Sequence, residues 1–405
     1  MHNDPEVLIL GAGPAGLFAA GKILDHNPRA RVTVMEKTDI PGGRTRMIHY
    51  EDHLVPGGAG VVRETDVRLR ALCARHGIPL TFPAKSPVWY RGFTPRRDIL
   101  GLIEKFSRVP LTPEQRSKTT FEEFLIQQLP DPKDRQVFIE TVGYTDFLKA
   151  DIVDTLHHYG WRDVVGPPHG TRTTRVDWNH LMQCMAAPRK NRKILYNTEA
   201  VSIDRDDITG KWRVTCRPST VIRADQLVLA IPSVAIVRLL RNSRFTGCRT
   251  LAREIHDQVQ MQPFLRLYAS LPMDKNEKSQ ITRSPLQKSF PMFTAPDHRQ
   301  VWMLSYSDNA HALKVHNASS KQLAEWFFQE EKDYNNNPDN EDIQKVFSQF
   351  YQHGTHYFKP LSLRYSNRDA FLEYIRNPME NLYITGEGFS HHQGWTEGAL
   401  EWEPI

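Results

Sequence analysis

The residues with the plainest chemistry stand near the start of the chain. Gly11-Ala12-Gly13-Pro14-Ala15-Gly16 fits the spacing G-x-G-x-x-G, directly after the apolar run EVLIL and at the opening of AGLFAAGKIL. Glycines so placed permit a tight turn, let backbone approach a pyrophosphate, and allow a helix to pack closely on a strand. The helix start adds free N–H groups and a partial positive charge for the phosphates. Glu36 follows 20 residues after Gly16, at the end of a second apolar run. A carboxylate there accepts both ribose hydroxyls and disfavours a 2′-phosphate, which makes NADP the less suited ligand. Pro41-Gly42-Gly43-Arg44 then offers backbone and a cation for a second approach to the pyrophosphate. Dinucleotide binding is the chemistry these residues predict. A bare glycine turn is the plainer alternative, and an export signal is a third. The export reading fails, because Asp4 and Glu6 precede the apolar stretch and three glycines and a proline break it.

The elements that must position these residues are legible around them. Residues 6–36 read as strand, turn, helix and strand, a βαβ unit. From about 95 to 185 the pattern is mainly helical, with cap-like residues ahead of apolar periodicity in TPRRDILGLIEKF, TFEEFLIQQL and DRQVFIETVGYTDFL. The chain then turns β-rich through KILYNTEAVSIDRD, WRVTCRP and ADQLVLAIPS. Beyond residue 250, strands such as FLRLYASL and QVWMLSYS mix with a helix at SSKQLAEWFFQEEKDY, and YNNNPDNED at 334–342 reads as a loop. NLYITGEGF is a strand entering a glycine turn, and GWTEGALE opens a helix that can run little more than two turns before Pro404. Glycine-marked α/β segments thus stand at both ends and in the middle, with a second domain threaded between them.

Bulk properties remove several function classes. The 405 residues are 40% hydrophobic and 24% charged, which excludes extensive disorder. The net charge of +5 is small for this length and its basic clusters are scattered, so no nucleic-acid surface is expected. Cys73, Cys184, Cys216 and Cys248 stand far apart with no C-x-x-C pair, so neither a metal site nor a disulfide framework is expected, and a reducing, cytoplasmic setting is. No apolar run approaches the roughly 18 residues of a membrane span.

Five stretches carry a family resemblance: LGAGPAGLFAA with VTVMEKTDIPGGRTR, HLVPGGAGVVRETDVRLRALCARHGI, NTEAVSI, DQLVLAIP, and NLYITGEGFSHHQGWTEGALE. In this order they resemble the FAD-dependent amine oxidase family, which spans monoamine oxidases, polyamine oxidases and L-amino-acid oxidases. The resemblance implies an α/β fold: a discontinuous Rossmann-like FAD-binding domain over residues 1–90, 186–250 and 376–405, and a mixed α+β substrate domain over 91–185 and 251–375. It implies that Gly11, Ala12, Gly13, Ala15 and Gly16 line the diphosphate and Glu36 holds the ribose. Gly43 and Arg44 flank the diphosphate, Gly58, Ala59 and Gly60 lie near the flavin ring, and Val201 meets the adenine through its backbone. Gly386 and Glu387 return to the diphosphate and ribityl region, with Trp395, Thr396 and Ala399 against the isoalloxazine. No cysteine matches the family's covalent attachment point, so FAD is expected to be held non-covalently.

The same resemblance supplies a function and its candidates. It implies oxidation of a small-molecule amine or amino acid at the C–H beside nitrogen, by hydride transfer to flavin N5, giving an imine that hydrolyses. O2 would then take the electrons and yield H2O2. Trp395 would form an aromatic wall. Arg63 stands two places beyond the arginine with which amino-acid oxidases grip a carboxylate. Many relatives hold a lysine near flavin N5; the comparable strand, MQPFLRLYASL, offers Arg266 or Gln262 instead. Arg266 is therefore a catalytic candidate, against the alternative of a strand-edge arginine paired with a surface acid. His392, with His391, stands in the loop just ahead of Trp395, and Tyr144 is expected in the core. Two other functions stay open: an FAD-dependent dehydrogenase or desaturase of an apolar substrate, and a non-catalytic FAD-binding scaffold.

Overall fold

The computed structural model describes residues 4–84, 88–165, 171–272, 278–328 and 343–402. The tract at 334–342, expected as a loop, and Pro404 lie outside them. A parallel five-stranded sheet organises the first domain, in the order Leu382–Ile384, Gln226–Leu229, Glu6–Leu10, Arg31–Met35 and Arg192–Leu195. Its strands come from both ends and the middle of the chain. After Glu6 the strand reads VLIL, apolar at every position, because a central parallel strand is covered on both faces. Val7 and Ile9 point to one core with Leu17, Ala20 and Leu24 of the helix Pro14–His26 and Trp178 and Leu181 of the helix Trp178–Ala186. Leu8 and Leu10 point to the other, with Ile236 and Leu240 of Ser233–Arg241 and Phe371 and Ile375 of Arg368–Arg376.

A six-stranded sheet organises the second domain, in the order Gln344–Phe358, Val259–Leu271, Gln300–Asp308, Lys288–Thr294, Ser279–Thr282 and Val88–Arg91. Alternation sorts the side chains of Val259–Leu271. Leu265, Leu267, Ala269 and Leu271 join an apolar core, which turns Phe264, Arg266 and Tyr268 to the opposite face. The helical insertion packs through Phe106, Phe121, Phe124, Phe138, Phe147 and Trp161. Its helix Phe121–Gln128 begins with a capping box: Thr120 Oγ1 accepts the Glu123 amide and the Glu123 carboxylate accepts the Thr120 amide. None of the described helices is long and apolar enough to cross a membrane.

Candidate active site

The glycine turn is dictated by lack of room. Gly11 has φ +104°, and a Cβ on it would stand 2.5 Å from the Ala230 carbonyl oxygen. A Cβ on Gly16 would fall 1.9 Å from the Gly11 carbonyl oxygen, so the helix rests on the turn itself. Gly13 differs, since its missing side chain leaves open space, and it stands at the N-cap of Pro14–His26 with no side-chain cap. The uncapped helix start therefore presents its N–H groups to that space.

The acid and the second glycine loop are tied to this turn. Glu36 Oε2 accepts the Ala12 amide at 2.9 Å, and Oε1 accepts the Thr38 amide at 3.0 Å. The Gly42 amide donates to the Ala12 carbonyl at 2.9 Å, bringing Gly43 opposite Gly13. The Arg44 carbonyl accepts the Ala59 amide at 3.0 Å, and a Cβ on Gly58 would stand 2.0 Å from that same oxygen. Gly58–Gly60 is thus stitched to the PGGR loop. Arg44 Nη2 meets Glu387 Oε2 at 3.1 Å, and Nη1 donates to the Gly354 carbonyl. Burial alone would raise the Glu387 carboxyl, but His356, Arg44 and the Gly394 amide outweigh it and hold the group well below the usual carboxylate range.

These pieces line one cavity of about 840 Å³, bordered by Gly11, Gly13, Ala15, Glu36, Gly43, Arg44, Gly58, Ala59, Gly60, Val201, Gly386, Glu387, Trp395, Thr396 and Ala399. Ala12 and Gly16 stand behind this lining and act through backbone contacts. One end holds Glu36 and Val201. The other meets the second domain at Phe264, Arg266, Tyr306 and Phe350. The short helix Thr396–Ala399 spans only one turn, less than the sequence predicts. Gly398 leaves it no freedom, since a Cβ there would stand 2.4 Å from the His392 carbonyl oxygen. Glu397 anchors it, its carboxylate accepting the Arg68 and Leu69 amides at the start of Val67–Arg75.

The four candidate catalytic residues fall into two groups. Trp395 and Arg266 line the cavity; Arg63 and His392 do not. Arg266 is buried rather than paired at a strand edge. It donates to the Gly58 carbonyl at 2.6 Å and lies 4.5 Å from the Tyr306 ring centre, and among the described residues no carboxylate pairs with it. Arg63 donates to Asp66 and to Asp163 at 2.6 Å each and stacks 4.0 Å from the Trp395 ring centre. His392 pairs with Glu401, and His391 pairs with Asp369 at 2.7 Å. Gln262 donates to Thr355 Oγ1 at 3.2 Å. Tyr144 packs in the helical core, edge-on to Tyr306. His356, Phe264 and Tyr306 escaped the sequence reading; only the alternation of apolar and other residues in their strands pointed to a second face.

Comparison with known proteins agrees with this geometry. Residues 91–401 match the model of the flavin-containing amine oxidoreductases, and residues 9–75 match that of the NAD(P)-binding Rossmann-like domain. The chain belongs to the flavin-containing amine oxidoreductase family. Its fold is similar to that of putrescine oxidase, at 14% identity and a TM-score of 0.73, covering 98% of this chain and 96% of that one. It is likewise similar to cyclohexylamine oxidase from Brevibacterium oxydans IH-35A, at 16% identity and a TM-score of 0.75, with 98% and 96% covered. A segment of 52 residues is 36% identical to mitochondrial NADPH:adrenodoxin oxidoreductase of Bos taurus, spanning 13% of this chain and 11% of that relative.

The cofactor is FAD, and the residues present fit it. The space beside Gly13, the uncapped helix start and the Glu36 carboxylate suit a dinucleotide. The cavity volume of about 840 Å³ suits a ligand of this size, and its far end is aromatic.

Proposed function

We propose that this protein oxidises a small-molecule amine or amino acid at the C–H bond beside nitrogen. Bound FAD, held non-covalently, supplies the two-electron chemistry: hydride acceptance at N5 and reoxidation by O2 to H2O2, the imine product hydrolysing in water. The carrying observation is the inner end of the cavity, where Phe264, Tyr306 and Trp395 stand with one buried cation, Arg266, that no described carboxylate neutralises. The aromatic faces orient the amine and exclude water. Their low dielectric favours the neutral amine, the form that reacts. Arg266 supplies a fixed positive charge beside Gly58–Gly60, where the reaction accumulates negative charge. Arg63, its guanidinium committed to two aspartates, sets the plane of Trp395 instead of gripping substrate. His392, paired to Glu401 outside the cavity, serves the loop before Trp395. Four unbridged cysteines support a reducing, cytoplasmic setting.

The test is anaerobic. The purified protein is mixed with putrescine, cyclohexylamine and a panel of other amines and amino acids while the visible flavin band is followed. Bleaching by one class is expected and identifies that class. A flavin-loaded protein that no amine bleaches would overturn the reading.

A further inference from the structure

His356 stands where three separated segments meet, and neither the motifs nor the resemblance assigns it a role. Its side chain is 1% exposed. The Ser233 amide donates to Nε2 at 3.2 Å. An amide N–H only donates, so Nε2 carries the lone pair and the imidazole proton stands on Nδ1. Nδ1 then donates to Glu387 Oε2 at 2.6 Å. Ser233 opens the helix Ser233–Arg241, so the partner of Nε2 is a backbone group held by that helix. The tautomer is fixed by the fold.

The consequence falls on Glu387. Its Oε1 accepts the His356 amide and the Gly394 amide, each at 3.0 Å. Its Oε2 accepts His356 Nδ1 at 2.6 Å and Arg44 Nη2 at 3.1 Å. Four donors fill the four lone-pair positions of a carboxylate. Glu387 therefore has no acceptor site left for a ligand hydroxyl, and its action on the cofactor passes through Arg44. Gly388 records the same constraint: a Cβ there would stand 2.9 Å from the His356 ring.

We propose that His356 is a positioning residue for FAD: by saturating Glu387 it aims Arg44 at the diphosphate. This rests on the FAD reading of the cavity. The experiment titrates FAD-stripped protein with FAD and follows flavin fluorescence. His356→Ala is expected to weaken binding about 10- to 100-fold, the effect of one charge-assisted hydrogen bond lost in a buried site. His356→Asn, whose amide N–H replaces Nδ1, recovers most of that loss. In a Glu387→Ala background, His356→Ala costs less than about threefold, because the residue it acts through is gone. Binding by His356→Ala within about threefold of wild type would overturn the inference, as would equal losses in both backgrounds. Should His356→Ala fail to fold, His356→Asn and His356→Gln decide it: the first must bind FAD better than the second. A wild-type chain that takes up no FAD would overturn the cofactor reading itself, a separate outcome.

Discussion

Two arginines flank the Gly58–Gly60 stretch, and each is 4% exposed. Arg63 is neutralised by Asp66 and Asp163 and lies over the Trp395 ring, 4.0 Å from its centre. Burial alone would lower its pKa, but the two aspartates reverse that and raise it. Arg266 has a carbonyl, a thioether and the Tyr306 ring around it, and no described acid. Burying a charge costs free energy unless a partner compensates it. The first arginine is compensated within the fold and so serves the fold. The second, on the function proposed above, is left for chemistry that arrives with a ligand. Equal burial thus conceals opposite roles, and the counter-charge tells them apart.

The contrast can be broken experimentally. Arg63→Met leaves Asp66 and Asp163 buried without their cation and is expected to cost about 3–5 kcal/mol of stability in denaturant unfolding. Arg266→Met should leave unfolding within about 1 kcal/mol of wild type. Equal destabilisation by the two would abolish the distinction. In rapid mixing, Arg266→Met should slow flavin reduction or reoxidation about 10²- to 10³-fold, the scale of one lost electrostatic contact to developing charge. An unchanged rate in both half-reactions would remove Arg266 from the chemistry.

Asp146 extends the comparison to an acid. Burial pushes its carboxyl up to about 7, with Asp308 adding to the effect, and Tyr159 donates to it at 2.7 Å. The folded chain therefore keeps a proton that the unfolded chain releases from about pH 4 upward, and stability falls as pH rises from about 4 to about 7. Asp146→Asn keeps the Tyr159 hydrogen bond and removes the titration. The decline should flatten by at most about 1.4 kcal/mol per pH unit, read from thermal unfolding at pH 5 and 7. A variant with the wild-type slope would show that the titrating group lies elsewhere.

What the sequence revealed follows the range of the forces involved. Gly11, Gly16 and Glu36 were legible because their constraints are local: a turn, a helix on a strand, an acid at a strand end. The cap-like residue at Thr120 was legible for the same reason, and the structure adds Glu123 to complete its capping box. Arg266 was named as a candidate, but its surroundings were not legible, since they depend on strand alternation and on Gly58, 208 residues away. The expected strand-edge ion pair gave way to a cavity wall because the apolar half of Val259–Leu271 faces the core. Arg63 offered no local sign of Asp163, 100 residues on. His356 escaped because its partners, Ser233 and Glu387, lie 123 and 31 residues away.

The order of strands in the parallel sheet also sets a timetable. The Glu6–Leu10 strand, made first, stands beside Gln226–Leu229, which in turn pairs with Leu382–Ile384. Only after that last strand do Gly386, Glu387 and Trp395 emerge to close the cavity. A chain not yet extended through these residues can form the helix Pro14–His26, but it has no finished pocket. Cofactor capture therefore waits for the segment from Leu382 onward, and the sheet that carries it closes across more than 370 residues, from Leu8 to Leu382.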